Sequence, residues 1–157
     1  MTGDLSIRPY QPSDAAGLSG LYEASVRALG PRDYSAAQIE AWASLTPSAE
    51  SLDGRMKDGR MRLVAFTDQL AGFIDVEADG HIDLLYVAPA AAGLGAARLL
   101  LETVEALAPI RGASRLYAEA SETARPVFER LGYSVVARRD FEVAGVPIHN
   151  WSVEKPL

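Results

Sequence analysis

Residues 83–108, DLLYVAPAAAGLGAARLLLETVEALA, bring three sequence patterns together without a break. The stretch opens with the apolar run 84–87 and then crosses a loop of small residues that contains Gly93 and Gly95. From Ala97 onward, apolar residues recur at the three- and four-residue spacing of one helical face until a proline ends the pattern. The stretch therefore predicts a strand, a glycine loop and a helix in immediate succession.

Such a junction favours the binding of a phosphate or pyrophosphate. The first N–H groups of a helix have no partner within it, and the helix macrodipole adds about half a positive charge at that end. Glycine lets a ligand approach the backbone, although many strand-to-helix turns contain glycine for steric reasons alone. The loop matches neither G-x-x-x-x-G-K-S/T nor G-x-G-x-x-G, so the usual nucleotide loops are excluded.

The loop resembles the acyl-coenzyme A loop of the GNAT N-acetyltransferase superfamily. That family shows a hydrophobic strand ending in V-x-P and then Q/R-x-x-G-x-G/A at the start of a helix. Val87 and Pro89 match the strand end here. Gly95 and Ala97 match the small positions, and Ala92 stands where Gln or Arg is usual. The family holds the pyrophosphate mainly through backbone amides, which Ala92 still supplies.

A second motif lies at residues 121–133, SETARPVFERLGY, and resembles the family pattern N-x-x-A-x-x-F-Y-E-x-x-G-F. The matching positions are Ala124, Glu129 and Gly132. Ser121 replaces the Asn, Val127 replaces the Phe, and Phe128 replaces the Tyr that often serves as general acid in the family. The resemblance therefore covers two separate motifs and nearly the whole chain.

The predicted order of elements, β-α-α(α)-β-β-β-α-β-α-β-β, is the GNAT order. We expect an α/β (α+β) chain in which 1–157 form a single GNAT-like domain, with a mixed, mostly antiparallel sheet and helices on both faces. The predicted strands are 5–8, 61–67, 70–78, 81–87, 115–120, 134–143 and 148–154. Because Pro126 suits only the first turn of a helix over 123–131, we predict Thr123 as its cap rather than Ser121.

The amino-acid composition excludes several kinds of site and binding partner. The 157 residues are 48% apolar and 23% charged, with no cysteine, so a disulfide framework and a thiolate metal site are excluded. A net charge of −6 argues against nucleic acid as the main partner. No apolar run is long enough to span a membrane and no signal peptide is visible, so we expect no membrane partner and a cytoplasmic location. A homodimer is possible.

The resemblance implies acetyl-CoA as co-substrate, a small-molecule amine as acceptor and no metal. It places the cofactor against the strand before the loop, the loop itself, the first turn of the next helix and the second motif. The expected contacts are Leu85, Tyr86, Val87, Ala92, Gly93, Leu94, Gly95, Ala96, Ala97, Arg98, Ser121 and Phe128.

The amine must lose a proton, so the site needs a base. Alternation along 81–87 predicts Ile82, Leu84 and Tyr86 on one face of the strand, and the opposite face carries His81, Asp83, Leu85 and Val87. His81 falls where some family members carry a catalytic glutamate, and histidine titrates near neutrality. Asp83, about 7 Å along the strand, could orient the imidazole or hold a cationic substrate. The alternatives are an exposed hairpin end for His81 and a structural hydrogen bond for Asp83.

The remaining site residues are predicted by position. Tyr133 or Tyr117 could supply the hydroxyl that Phe128 lacks, although a thiol has a pKa near 8.5 and its thiolate can leave without an acid. Tyr34 and Trp42 fall in the segment that walls the acceptor site in this fold, unless Trp42 only packs in the core. Glu119, at the end of the fifth strand, lies where the cofactor arm and the acceptor meet.

Two functions follow from these residues. The first is an acetyl-CoA-dependent N-acyltransferase that acts on a primary amine of a small molecule or on an exposed amino group. The second is an acyl-CoA-binding sensor or interaction module with little turnover, which Phe128 and Ala92 favour. The polar residues His81 and Asp83 favour the first.

Overall fold

A computed structural model describes residues 4–157 and shows one seven-stranded sheet in the order β1-β2-β3-β4-β5-β7-β6. The strands are β1 (Ser6–Pro9), β2 (Met61–Phe66), β3 (Leu70–Val76), β4 (His81–Val87), β5 (Arg115–Ala120), β6 (Ser134–Val143) and β7 (Val146–Pro156). Neighbouring strands are antiparallel except β4 and β5, which are parallel. The predicted mixed, mostly antiparallel sheet is therefore confirmed.

Five helices cover the two faces of the sheet. They are α1 (Ala15–Leu29), α2 (Ala36–Ala43), α3 (Ala49–Arg55), α4 (Ala96–Leu107) and α5 (Arg125–Arg130). Buried residues of α1, α2 and α3 form one core cluster with the sheet, and buried residues of α4 and α5 form a second cluster on the opposite face. Among residues 4–157 we find no helix with the length and apolar character needed to cross a membrane.

The start of α5 differs from the prediction. The helix begins at Arg125, and the Oγ of Ser121 accepts the N–H of Ala124 at 3.0 Å in the turn before it. The hydroxyl of Thr123 instead donates to Asp33 at 2.9 Å. The prediction of Thr123 as the cap is wrong because a separate turn, closed by Ser121, precedes the helix.

A β-bulge at Asp83 changes the direction of the side chains in β4. Val76 pairs with Ile82 and Asp75 pairs with Leu84, so β4 carries one residue more than β3 between these pairs. Ile82 packs in the cluster with α4, whereas Leu84 packs in the cluster with α1. The prediction that Ile82, Leu84 and Tyr86 share a face is therefore wrong, since the extra residue reverses the alternation.

Leu85 and Val87 pack on the α4 side of the sheet, as Ile82 does, whereas Asp83 lies on the other side. The predicted common face of His81, Asp83, Leu85 and Val87 is thus divided by the bulge. Asp83 binds Arg60, which also binds Asp75 in the buried ion network on the α1 side.

β4 and β5 are paired only at their first residues. His81 lies opposite Tyr117 and Ile82 lies opposite Ala118, after which pairing stops. β5 remains paired with β7 as far as Ala120. The carboxyl halves of β4 and β5 therefore leave a gap in the sheet.

The hairpin of β6 and β7 extends past β5. Residues 151–156 of β7 pair with β5, while residues 146–150 pair with β6 alone. In this extension Ile148, Phe141 and Val143 pack against the α1 side of the core. The extension thus walls the gap on that side.

A buried ion network lies between α3 and the sheet. The guanidinium of Arg62 is fully buried and binds the buried carboxylate of Asp75, with one N–O distance of 2.7 Å. Arg62 also donates to the carbonyl of Leu52 at 2.9 Å, and Arg60 donates to Asp75 at 3.0 Å. The network joins α3, β2 and β3 to the segment before β2.

We expect Asp75→Ala to lower the free energy of unfolding by about 3–5 kcal/mol, because it leaves the guanidinium of Arg62 buried without a counter-charge. Urea denaturation followed by circular dichroism measures this loss. Asp140→Ala is the matched control, since Asp140 pairs with Arg138 at the surface and such pairs contribute about 0.2–1 kcal/mol. Equal losses in the two variants would contradict the structural role of the buried network.

Candidate functional site

The gap between β4 and β5 is part of a cavity of about 430 Å³. On the α4 side its wall includes Ala97 and Phe128, and on the α1 side it includes Tyr22 and Trp42. The cavity therefore passes from one face of the sheet to the other. We call the half on the α1 side, lined by Tyr22, Tyr34, Trp42, Tyr86 and Phe141, the aromatic chamber.

The glycine loop leads into the N-terminus of α4. Gly95 precedes the helix with a φ of 84°, a left-handed conformation that other residues adopt at a cost. The first hydrogen bond of the helix runs from the N–H of Leu99 to the carbonyl of Gly95, at 3.0 Å. The N–H groups of residues 96–98 therefore have no helical partner and can bind an anion.

Two predicted loop contacts are used within the loop itself. The N–H of Ala92 donates to Pro89 at 3.2 Å, and the N–H of Leu94 donates to Ala91 at 3.1 Å. Neither amide is free for a phosphate in this conformation. In this conformation the predicted contacts of Ala92 and Leu94 would not be made by their N–H groups, and the amides best placed for an anion are those at the helix N-terminus.

Arg98 extends from the same helix N-terminus into solvent. Its side chain is 70% exposed and pairs with Glu102 one turn along, with an N–O distance of 2.7 Å. Exposed pairs of this kind are weak. Arg98 can leave Glu102 for a phosphate at little cost, but the structure shows only the surface pair, and the contact with the cofactor stays a prediction.

The unpaired edges of β4 and β5 present backbone groups to the gap. The N–H of Ala88 donates to Ala71 on the β3 side at 2.8 Å, so alternation directs the N–H groups of Val87 and Leu85 toward β5. The N–H of Tyr117 donates to Gly80 at 3.1 Å, and the pairing of Ile82 with Ala118 uses the N–H of Glu119, so the carbonyl of Glu119 is the group left facing the gap. An extended ligand with amide groups can therefore hydrogen-bond to both strands.

His81 lies between two carboxylates at the closed end of the gap. Its Nδ1 lies 2.6 Å from Glu77 and its Nε2 lies 2.8 Å from Glu119. The hydrogen bond with Glu119, followed by that with Glu77, raises the pKa of His81 to about 9 despite partial burial. The imidazole is therefore protonated at neutral pH, which differs from the titration near neutrality expected from the sequence.

Asp83 does not orient His81, although the two side chains are near one another. The carboxylate of Asp83 accepts a hydrogen bond from Arg60 at 2.8 Å and lies 3.6 Å from Arg55. The imidazole is instead held by Glu77 and Glu119. Asp83 and Glu119 both line the cavity, whereas His81 lies behind Glu119 and does not.

The potential ligand atoms of Glu77, His81 and Asp83 lie within 4.8 Å of one another, close enough for a metal ion to bridge. Arg60 lies in the same cluster, bound to Asp83 and 4.0 Å from Glu77. A guanidinium in that position already supplies the positive charge that a cation would bring. The donor set is therefore a poor fit for a metal.

The prediction of Tyr133 as the acid is wrong for this structure, because its side chain lies in the core. Its side chain is 4% exposed and packs edge-to-face on Phe128 with ring centroids 5.0 Å apart, outside the cavity wall. Its hydroxyl has no hydrogen-bond partner within the described part of the chain. Burial raises the pKa of the Tyr133 hydroxyl above its ordinary value, which makes it a weaker acid.

Phe128 and Ser121 do line the cavity, as predicted. Phe128 is almost fully buried and also belongs to the core cluster on the α4 side. The position where the family often carries a tyrosine therefore contributes an apolar ring to the cavity wall.

The aromatic chamber contains Tyr34 and Trp42, both predicted for the acceptor site. The hydroxyl of Tyr34 donates to the carbonyl of His149 at 2.9 Å and accepts the N–H of Glu122 at 2.8 Å. The indole N–H of Trp42 donates to the hydroxyl of Tyr86 at 3.3 Å. Trp42 therefore both packs against the core and lines the cavity, and Tyr86 lies in the chamber rather than beside the glycine loop.

Three residues in or beside the site were not predicted from the sequence. Arg60 holds Asp83, Glu122 accepts hydrogen bonds from His149 and Trp151, and Arg139 joins the cavity wall from β6. The first two depend on contacts between distant segments. The spacing of Arg139, Phe141 and Val143 at every second residue of a strand was a usable signal for the third.

Comparison with known proteins supports a common origin for this arrangement. The family model described as an acetyltransferase (GNAT) domain matches residues 31–155. An Escherichia coli K12 protein described as the uncharacterized N-acetyltransferase YafP is 30% identical over 148 residues, which are 94% of this chain and 93% of that protein.

Solved structures show the same fold. A GCN5-related N-acetyltransferase from Rhodopseudomonas palustris has a TM-score of 0.90 and 33% identity, covering 100% of this chain and 99% of that one. The PaiA N-acetyltransferase of Thermoplasma acidophilum, solved with coenzyme A, has a TM-score of 0.78 and 21% identity over the full length of both chains. The resemblance noted in the two sequence motifs is confirmed, and this chain belongs to the GNAT acetyltransferase family.

Proposed function

We propose that this protein transfers the acetyl group of acetyl-CoA to a primary amine of a small molecule or to an exposed amino group. The observation that carries the proposal is the cavity through the sheet. It joins the N-terminus of α4, at Ala97, on one face to a chamber with carboxylates on the other. The coenzyme A complex of the Thermoplasma acidophilum relative supports the choice of cofactor.

The residues of the α4 side fit coenzyme A. The free N–H groups of residues 96–98 would hold the pyrophosphate, and Gly95 leaves their approach open because a Cβ added at this glycine would meet no atom within 4 Å beyond its chain neighbours. The backbone groups of Val87 and Glu119 would bind the amide-containing arm within the gap. The thioester would then lie where the two halves of the cavity meet.

Acetyl-CoA supplies an activated thioester carbonyl at that point. Attack by the neutral amine forms a C–N bond and breaks the C–S bond, the amine loses one proton, and the thiolate accepts a proton from solvent. The N–H group of Leu85, the deeper of the two that face the gap, would stabilise negative charge on the carbonyl oxygen. A thiol has a pKa near 8.5, so Phe128 need not be an acid for the thiolate to leave.

The α1 side of the gap fits the amine. Asp83 and Glu119 line it, so a substrate ammonium would be attracted to that wall. Glu119 is hydrogen-bonded to His81, and together they form a path by which the amine proton can leave the chamber. Since the pKa of His81 is about 9, this path accepts a proton most readily in mildly alkaline solution.

Thiol release from acetyl-CoA, measured over a panel of amines, tests the proposed function directly. We expect release that depends on the acceptor, with formation of the acetylated amine. The apolar ring of Phe128 specifically favours the alternative, a module that binds acyl-CoA with little turnover. Tight acetyl-CoA binding without release for any acceptor would support that module and contradict the transferase.

We expect Gly95→Val to weaken acetyl-CoA binding about tenfold to a hundredfold, because a strained backbone misplaces charge-assisted hydrogen bonds to the pyrophosphate. Isothermal titration calorimetry measures this affinity. Gly112→Val is the matched control, since Gly112 has a φ of 94° and equally open space in the turn beyond the far end of α4. Similar affinities in the two variants would show that the pyrophosphate binds elsewhere.

The pH profile of kcat/KM should rise toward pH 9 in the wild type, since the imidazole of His81 becomes a base only as it loses its proton. An aromatic amine as acceptor is neutral throughout the range and keeps its own titration out of the profile. Glu119→Gln removes the main cause of the raised pKa, so the rise should move to lower pH.

His81→Gln should remove the rise and lower kcat/KM about 10²–10⁴-fold. Glu154→Gln is the control, because Glu154 pairs with Arg115 at the surface, outside the cavity. An unshifted profile in Glu119→Gln would place the proton path elsewhere.

A further inference from the structure

Arg139 stands at the wall of the cavity on the α1 side, in a position fixed by its neighbours on the hairpin. It lies opposite Asn150 in the pairing of β6 with β7, and its Nη1 donates to the side-chain oxygen of Asn150 at 3.0 Å. Its guanidinium carbon lies 5.5 Å from the ring centroid of Phe141, which also lines the chamber. These contacts orient the guanidinium, which is otherwise exposed to solvent at the cavity wall.

Within residues 4–157, no carboxylate forms an ion pair with Arg139, although the chain carries a net charge of −6. The carboxylates of the cavity wall are already engaged, Asp83 by Arg60 and Glu119 by His81. The chamber wall therefore presents an oriented guanidinium that pairs with none of the described carboxylates.

The positive charge of Arg139 acts on Glu119, which lines the cavity. The pKa of Glu119 is lowered mainly by its hydrogen bond with His81, and Arg139 adds to the lowering. A substrate ammonium placed at Glu119 would therefore lie within the field of Arg139 and be repelled by it. A carboxylate on the same substrate would turn that repulsion into attraction, since guanidinium and carboxylate form bidentate, charge-assisted pairs.

We propose that the acceptor is an amino acid with an apolar or aromatic side chain, held by its carboxylate at Arg139. The inference rests on the proposed acetyl transfer and specifies its substrate class. The ammonium group faces Glu119, and the side chain lies among the rings of Tyr34 and Trp42. A simple amine or a protein N-terminus brings the same positive charge without a carboxylate to neutralise the guanidinium.

Matched pairs of acceptors test the carboxylate site. L-phenylalanine is compared with phenethylamine, and L-leucine with 3-methylbutylamine, by thiol release from acetyl-CoA. We expect kcat/KM to favour the amino acid of each pair by about tenfold to a hundredfold, the usual range for a hydrogen-bonded charged group. Arg139→Gln should abolish that preference, and Arg139→Lys should retain part of it because the charge remains.

Arg138→Gln is the matched control for the loss of a positive charge. Arg138 is the neighbouring residue on β6, pairs with Asp140 at the surface and does not line the cavity. This variant should keep the wild-type preference. An equal loss of preference in Arg138→Gln and Arg139→Gln would overturn the inference, since it would reflect net charge rather than a site.

Calorimetry on the protein saturated with coenzyme A separates this inference from the proposed function. Binding of L-phenylalanine that is lost in Arg139→Gln supports the carboxylate site even if no acceptor turns over. Turnover of the amines at least as fast as that of the amino acids would overturn the inference and leave the transferase intact. Absence of amino-acid binding together with absence of turnover would overturn both.

Discussion

The end of pairing between β4 and β5 after Ile82 and Ala118 is the constraint on which the site depends. Each strand keeps a full partner on its other side, β3 for β4 and β7 for β5, so the sheet stays continuous while the gap opens. The glycine loop and α4 follow β4 directly, and the turn before α5 follows β5. The gap therefore opens where a helix N-terminus meets two unpaired strand edges.

The bulge at Asp83 supplies the other half of the site. Without the extra residue, Asp83 and Leu84 could not both face the α1 side, and Asp83 would not reach Arg60. The ion network from Arg62 through Asp75 to Arg60 then fixes that carboxylate at the chamber wall. Because a buried ion pair gains little over well-packed apolar residues, its value here is the fixed position of the charges.

The sequence predicted most helices and strands, but it did not predict how the strands pair or which side chains face the cavity. Strands 81–87 and 115–120 were predicted with their observed bounds, because glycine, proline and polar turns delimit them clearly. The bulge was missed because it changes pairing without changing composition. Tyr133 was misjudged since nothing local tells whether a hydroxyl faces a cavity or the core, and Arg139 was missed because its cavity exists only after β6 folds over the gap.

Acetyl-CoA is an anion and the proposed acceptor brings an ammonium group, and the fold would keep these two charges apart across the sheet. A chain with net charge −6 repels coenzyme A, so the anion must rely on local N–H groups at the start of α4 rather than on the overall field. The same acidity suits an ammonium on the opposite face, where Asp83 and Glu119 line the wall. Arg60 and protonated His81 partly neutralise these two carboxylates. The chamber would therefore bind an amine without holding it permanently as the ammonium ion. The gap is where the two environments meet, and there a neutral amine and a thioester can react.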